Sequence, residues 1–288
     1  MVFDKIRKYG EMVMFSHTLF SLPFALISMF WAAKGFPAWT TFLWIIVALF
    51  GARNGANALN RVIDADIDRK NPRTAGRHIP KGDVKKSEAL LVVIVCFAVM
   101  VFAAYMLNPL CLILSPAALA IFIFYSYTKR FTWLCHFVLG VACGGAPVGA
   151  WIAVTGKIEI LPIALGAAVT FWIAGFDIIY ATQDYDFDRE NNLFSVPAVF
   201  GIKNSLIISA FFHVLSVLIL IWIKFQLDLS AIYTAGIVVI SILLISEHII
   251  VSPKNLKTMK IASYSINQIV SVVFFIFSFA DVLIRWII

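Results

Sequence analysis

Apolar runs long enough to cross a bilayer follow one another along most of this chain, and they leave little freedom in what it can fold into. A helix needs about 20 apolar residues to span a hydrocarbon core, and runs of that kind are read at 13–33, 40–60, 87–106, 109–128, 133–155, 160–182, 204–225, 229–250 and 264–285. No water reaches a bilayer core to satisfy backbone polar groups, so such segments fold as helices. The expected class is an all-α integral membrane protein with nine transmembrane helices. Composition agrees, at 61% hydrophobic and 14% charged residues, far from the averages of soluble domains. The Asn108-Pro109 junction leaves the third and fourth spans the least separated.

Basic residues alternate from one side to the other. Lys5, Arg7 and Lys8, the stretch from Arg61 to Lys86, Lys129 and Arg130, Arg189 and Lys203, and Lys254, Lys257 and Lys260 fall on one face; Lys34, Lys157, Lys224 and Arg285 fall on the other. The positive-inside rule then puts the N-terminus in the cytoplasm and the C-terminus on the opposite side of the cell's inner (plasma) membrane. The net charge of +7 follows from this bias and needs no nucleic-acid partner. It favours an anionic leaflet or an anionic substrate. The first run contains Ser21-Leu22-Pro23 and lacks a small-residue cleavage site, so it reads as a span and not as a cleavable signal peptide. Cys96, Cys111, Cys135 and Cys143 stand singly, without C-x-x-C spacing, and read as packing residues.

Two segments carry the same acidic pattern: Asn60-Arg-Val-Ile-Asp64-Ala-Asp66-Ile-Asp68-Arg69-Lys70-Asn71 and Tyr180-Ala-Thr-Gln-Asp184-Tyr-Asp186-Phe-Asp188-Arg189-Glu190-Asn191. Each closes an apolar run on the basic side and opens one of the two long inter-span segments, 61–86 and 183–203. Asp at i and i+4 shares a helix face, so each end offers a pair of oxygen ligands. Two solvated surfaces have no reason to share a register. Asp64, Asp68, Asp184 and Asp188 are therefore expected to hold divalent cations, with Mg²⁺ bound together with substrate phosphates the best match to hard oxygen donors. Asp66 and Asp186 are expected to point elsewhere and to form salt bridges.

Upstream of the first motif, Arg53, Asn57, Asn60, Asp64 and Asp68 recur at three- and four-residue spacing, one polar stripe from membrane depth to the surface. Asp177, Tyr180, Asp184 and Asp188 repeat it in the sixth run. A diphosphate would also need cations. Lys129, in Tyr125-Ser-Tyr127-Thr-Lys129-Arg130, and Arg73 are the candidates, with Arg77 beside them; the remaining loop lysines serve topology. In the fifth run Gly140 with Gly144, and Gly145 with Gly149, have the spacing that lets helices approach closely. Pro147 would loosen the same helix. His17 and His136 read as structural, since neither pairs with a nucleophile.

At these residues the chain resembles the UbiA superfamily of intramembrane aromatic prenyltransferases. The family motif N-x-x-x-D-x-x-x-D is matched by Asn60, Asp64 and Asp68, and D-x-x-x-D by Asp184 and Asp188. The runs at 17–25, 58–64, 71–74, 125–130 and 146–151 resemble the 4-hydroxybenzoate polyprenyltransferase branch, while His78-Ile79-Pro80 departs from the Pro-Leu-Pro of many relatives. The resemblance implies one domain over residues 1–288, with nine helices around a central cavity and a cytoplasmic cap. It implies a polyprenyl diphosphate donor held through Mg²⁺ by the four Asp with Asn60, Arg73, Arg77, Lys129 and Tyr125, and an aromatic acid acceptor. Arg53 and Asn57 would bind the acceptor, and Asp177 or Tyr180 would orient its hydroxyl or remove a proton. A hydroxynaphthoate of menaquinone biosynthesis is the alternative acceptor. From another class, a secondary transporter would account for Arg53 and Asp177 in the membrane, but not for the paired motifs.

Overall fold

The computed structural model describes residues 8–12, 20–251, 258–259 and 261–287, and every regular element among them is helical. The α-helices are α1 (Leu22–Ala33), α2 (Trp39–Lys70), α3 (Lys86–Leu107), α4 (Pro109–Thr128), α5 (Cys135–Thr155), α6 (Ile160–Ala181), α7 (Tyr185–Glu190), α8 (Val196–Gln226), α9 (Ala231–Ile250) and α10 (Asn267–Ile287), with a 3₁₀ turn at Thr182–Asp184 and a wider π-turn at Ile261–Ile266. Among the described residues, eight helices are long and apolar enough to cross a membrane, while α1 is apolar but shorter. His17 and the start of the first expected span lie outside the described residues, as do Lys5, Arg7, Lys254, Lys257 and Lys260. The helices fall into two compact units, one of Trp39–Tyr127 with the helical residues 8–12, the other of Thr128–Ile288 with α1.

In the first unit, α2 and α3 approach closely because glycines face the partner. A Cβ at Gly51 would meet the Cys96 carbonyl oxygen, and one at Gly55 the Phe97 ring. Helix α2 continues past the expected boundary at residue 60 to Lys70. Charge ends a hydropathy run but not a helix: Ala58, Leu59 and Ala65 still bury a face there, and Arg69 and Lys70 in the last turn complement the helix dipole. Pro72 disfavours helix at Asn71 and marks the stop. Residues 71–85 then fold back in turns, with Ile79 and Val84 buried in the same cluster as Met12, Ala89 and Val93. Lys8 reaches Asp83 at 3.6 Å, and Glu11 lies 3.5 Å from His78 Nε2. Desolvation raises the Asp83 carboxyl, but the hydrogen bond and charge of Lys81 with the charge of Lys8 outweigh it and hold Asp83 below its ordinary value.

The Asn108-Pro109 junction separates two complete helices with a single residue. Asn108 is extended (φ −165°, ψ 164°), and its side-chain oxygen accepts the Cys111 N–H at 3.0 Å, capping α4.

In the second unit, α5 and α6 meet through glycine. A Cβ at Gly140 would meet the Thr170 carbonyl oxygen and one at Gly144 the Gly166 carbonyl oxygen, whereas Gly145 and Gly149 face open space. Of the two glycine pairs, only the first packs. Gly144→Ala is accordingly expected to destabilise the protein by about 1–3 kcal/mol through overpacking, whereas Gly145→Ala, with open space inside a helix, is expected to be neutral or stabilising by up to about 1 kcal/mol. Thermal unfolding in detergent checks both. Ser28 Oγ donates to the Pro147 carbonyl at 2.6 Å, tying α1 to α5. Buried rings fill the unit, with Phe24 stacked on Phe274 at 4.2 Å and Trp172 beside Phe24 at 5.2 Å. Helix α8 starts at Val196, ahead of the expected 204, and passes a non-helical Gly201 (φ 77°).

Candidate active site

In the first unit the motif residues lie on one uninterrupted helix. Asp64 and Asp68 are 2% and 4% exposed, and burying carboxylates is costly unless they are paired and hydrogen-bonded. Asn60 Nδ2 donates to Asp64 Oδ2 at 3.1 Å, one helical turn away. Arg77 Nη1 lies 2.7 Å from both oxygens of Asp68. Thr74 Oγ1 donates to the Asp68 carbonyl at 3.0 Å, which fastens the turn that delivers Arg77. Arg61 is within electrostatic reach of Asp64, Asp68, Arg77 and Tyr125. Arg73 is exposed on the same loop, and its backbone N–H donates to Asn71 Oδ1 at 2.9 Å. Arg53 and Asn57 stand on α2 further from its C-terminal end. Asp66 is exposed and pairs with Lys86 at 2.9 Å, as a residue off the ligand face should. Exposed pairs contribute little, so Asp66→Ala is expected to leave Tm in detergent essentially unchanged, as thermal unfolding would show.

In the second unit the spacing alone is misleading. Asp184 and Asp188 do not share one continuous α-helix, because a 3₁₀ turn, Thr182–Asp184, separates α6 from α7. Local side-chain bonds compete with the helix there: Thr182 Oγ1 donates to the Ile179 carbonyl at 2.7 Å and Gln183 Nε2 to that of Tyr180 at 3.0 Å. Ser195 Oγ donates to Asp188 Oδ2 at 2.8 Å and also accepts the Ala198 N–H at 3.2 Å, capping α8. Lys129, Asp184 and His136 are within electrostatic reach of Asp188. The Phe194 N–H donates to the Lys129 carbonyl at 2.7 Å, fixing the backbone that carries that lysine. Deeper in the unit, His136 Nδ1 lies 2.7 Å from Asp177 Oδ2, and the Val196 N–H donates to His136 Nε2 at 3.3 Å.

Each unit thus gathers one acidic pair with cations, Asp64 and Asp68 with Arg61 and Arg77, Asp184 and Asp188 with Lys129. Arg77, the lesser candidate in the sequence, makes the ion pair. Three neighbours were not read as part of the site there: Arg61, counted as a loop charge; Ser195, whose Ser-Val-Pro context is a helix-cap signal; and His136, read as structural, whose partner Asp177 lies on a separate helix. Among the described residues, no three His, Cys, Asp or Glu side chains form a metal cage. Two carboxylates per motif, with an amide at Asn60, are nonetheless hard oxygen donors that leave coordination positions for phosphate and water, which fits Mg²⁺.

The sequence matches the profile of the UbiA prenyltransferase family over residues 21–278. Among its relatives, the 4-hydroxybenzoate octaprenyltransferase of Shewanella pealeana is 30% identical over 237 residues, 81% of this chain and 82% of the relative. The enzyme of that name from Aliivibrio fischeri is 31% identical over 236 residues, 80% and 78% of the two chains. The apo structure of a UbiA homolog from Aeropyrum pernix superposes with a TM-score of 0.84 at 32% identity, covering 94% of this chain and 98% of the other. A UbiA homolog from Archaeoglobus fulgidus bound to GPP and Mg²⁺ has the same fold, with a TM-score of 0.70 at 22% identity over 96% and 99% of the chains. A family match over nearly the whole chain, an all-helical membrane architecture among the described residues and two acidic ends with their cations agree: the chain belongs to the UbiA prenyltransferase family, and is an enzyme.

Proposed function

We propose that the protein transfers a polyprenyl group from a polyprenyl diphosphate to an aromatic acid, 4-hydroxybenzoate or a near analogue, in a Mg²⁺-dependent reaction of quinone biosynthesis. The observation that carries this reading is the placing of buried or half-buried motif carboxylates beside cations, Asp68 on Arg77, Asp64 near Arg61 and Asp188 near Lys129, in a chain with relatives named for that activity. It acts in the inner membrane, with nine spans around a cavity, a cytoplasmic N-terminus and the motif loops as a cap.

Asp64, Asp68, Asp184 and Asp188, with Asn60, would hold Mg²⁺. When bound, the metal supplies neutralisation of the diphosphate charge and of the charge that grows as it leaves. Lys129, Arg73, Arg77 and Tyr125 bind the same diphosphate oxygens. As the bond between prenyl C1 and oxygen breaks, the electron pair stays on pyrophosphate, where fixed positive charge stabilises it most. The prenyl carbon then bonds to the acceptor ring, which loses the proton from the attacked carbon. Arg53 and Asn57 bind the acceptor carboxylate, and Asp177 or Tyr180 orients its hydroxyl or takes the proton.

The test is an acceptor panel on the purified protein at fixed donor, comparing 4-hydroxybenzoate with hydroxynaphthoates and following pyrophosphate release. Preference for the benzoate supports the reading, preference for a naphthoate moves the enzyme to menaquinone biosynthesis, and no release with any pair sinks the enzymatic proposal.

A further inference from the structure

The fifth helix opens with a histidine that touches two functional elements at once. The Val196 N–H donates to His136 Nε2, so that nitrogen carries a lone pair and the neutral ring's proton sits on Nδ1, which donates to Asp177 Oδ2 at 2.7 Å. A ring bonded at both nitrogens has no rotational freedom, and a hydrogen-bonded partner of this kind fixes both tautomer and orientation. The imidazole is buried, its side chain 6% exposed against 25% for Asp177. Val196 begins α8 immediately after Ser195, whose hydroxyl bonds Asp188.

We infer that His136 is a positioning residue that serves both sides of the reaction. Its Nδ1–H aims the Asp177 carboxylate toward the acceptor, and its Nε2 anchors the first turn of α8, so that Ser195 stays on Asp188. The inference rests on the functional reading above for Asp177 and Asp188, but the linkage itself is a property of the fold.

Two near-isosteric substitutions divide the contacts. In His136→Asn the amide nitrogen takes the place of Nδ1 and keeps Asp177 while Val196 is lost; in His136→Gln the amide oxygen takes the place of Nε2 and keeps Val196 while Asp177 is lost. For His136→Asn, amide hydrogen exchange across residues 193–199 is expected to accelerate, and the Mg²⁺ concentration for half-maximal rate to rise ~10-fold, with the acceptor KM unchanged. For His136→Gln the exchange stays as in the wild type, while kcat/KM for the acceptor falls ~10-fold at unchanged donor KM. If both variants shift the same parameters, or neither departs from the wild type by more than about twofold, the positioning role is overturned. Absence of prenyl transfer by the wild type would sink the functional reading instead, and the exchange difference between the two variants would still decide whether His136 holds α8.

Discussion

Asp64→Asn is expected to lower prenyl transfer on the order of a thousandfold, the scale set by removing a group that stabilises charge in the transition state, with little loss of folded stability. The amide fills the carboxylate's space and can still accept the bond that Asn60 Nδ2 gives to Asp64, while the negative charge that makes the side chain a Mg²⁺ ligand is gone. Asp184→Asn should behave alike from the other motif. If the two acidic ends serve one diphosphate, the double variant is scarcely worse than either single one, because groups that act as a unit lose their effect together. Independent contributions would multiply. Asp186→Asn, at an exposed position of the same pattern, is the control and should retain full rate. Full activity in Asp64→Asn would require the metal assignment to be dropped; initial rates of pyrophosphate release measure all four variants.

The sequence made the membrane class plain, since apolar length admits few folds. It also marked both acidic motifs. Helix ends were harder, because hydropathy stops at the first charges while helical geometry continues: α2 runs on to Lys70, and α8 begins at the Ser195 cap, ahead of its apolar run. Asp64 and Asp68 lie on one α-helix as the i,i+4 spacing expects, whereas a 3₁₀ turn ends at Asp184 just before the helix that carries Asp188, where Thr182 and Gln183 turn their hydrogen bonds to the local backbone. Spacing could not choose between Gly140 with Gly144 and Gly145 with Gly149, because only the neighbouring helix tells which face is covered. Nor could it foresee that Arg77 bonds Asp68, which depends on how the turns of residues 71–77 aim that side chain. The link between His136 and Asp177 joins residues on separate helices, so spacing along the chain does not show it.

Removing divalent metal is expected to abolish turnover altogether, and the charges explain why the effect should be complete. In the first unit Asp64 and Asp68 stand against Arg61 and Arg77, and Arg77 is already committed to Asp68. In the second, Asp184 and Asp188 stand against Lys129. The cations beside the motif carboxylates, Arg61, Arg77 and Lys129, are thus outnumbered by the four aspartates, so without metal a polyanionic diphosphate meets net negative charge at the motifs despite Arg73 and its neighbours. Like charges a few ångströms apart away from bulk water repel strongly, so without Mg²⁺ the motifs should exclude the donor they bind with it. Chelation with EDTA should bring pyrophosphate release to background, and added Mg²⁺ should restore it. Because a ligand that binds the folded state stabilises it by mass action, Mg²⁺ with a non-hydrolysable diphosphate analogue should also raise Tm in detergent, and Asp64→Asn should remove most of that rise. Undiminished turnover in EDTA, or an equal Tm rise in the variant, would mean that the four aspartates have a task other than carrying the metal.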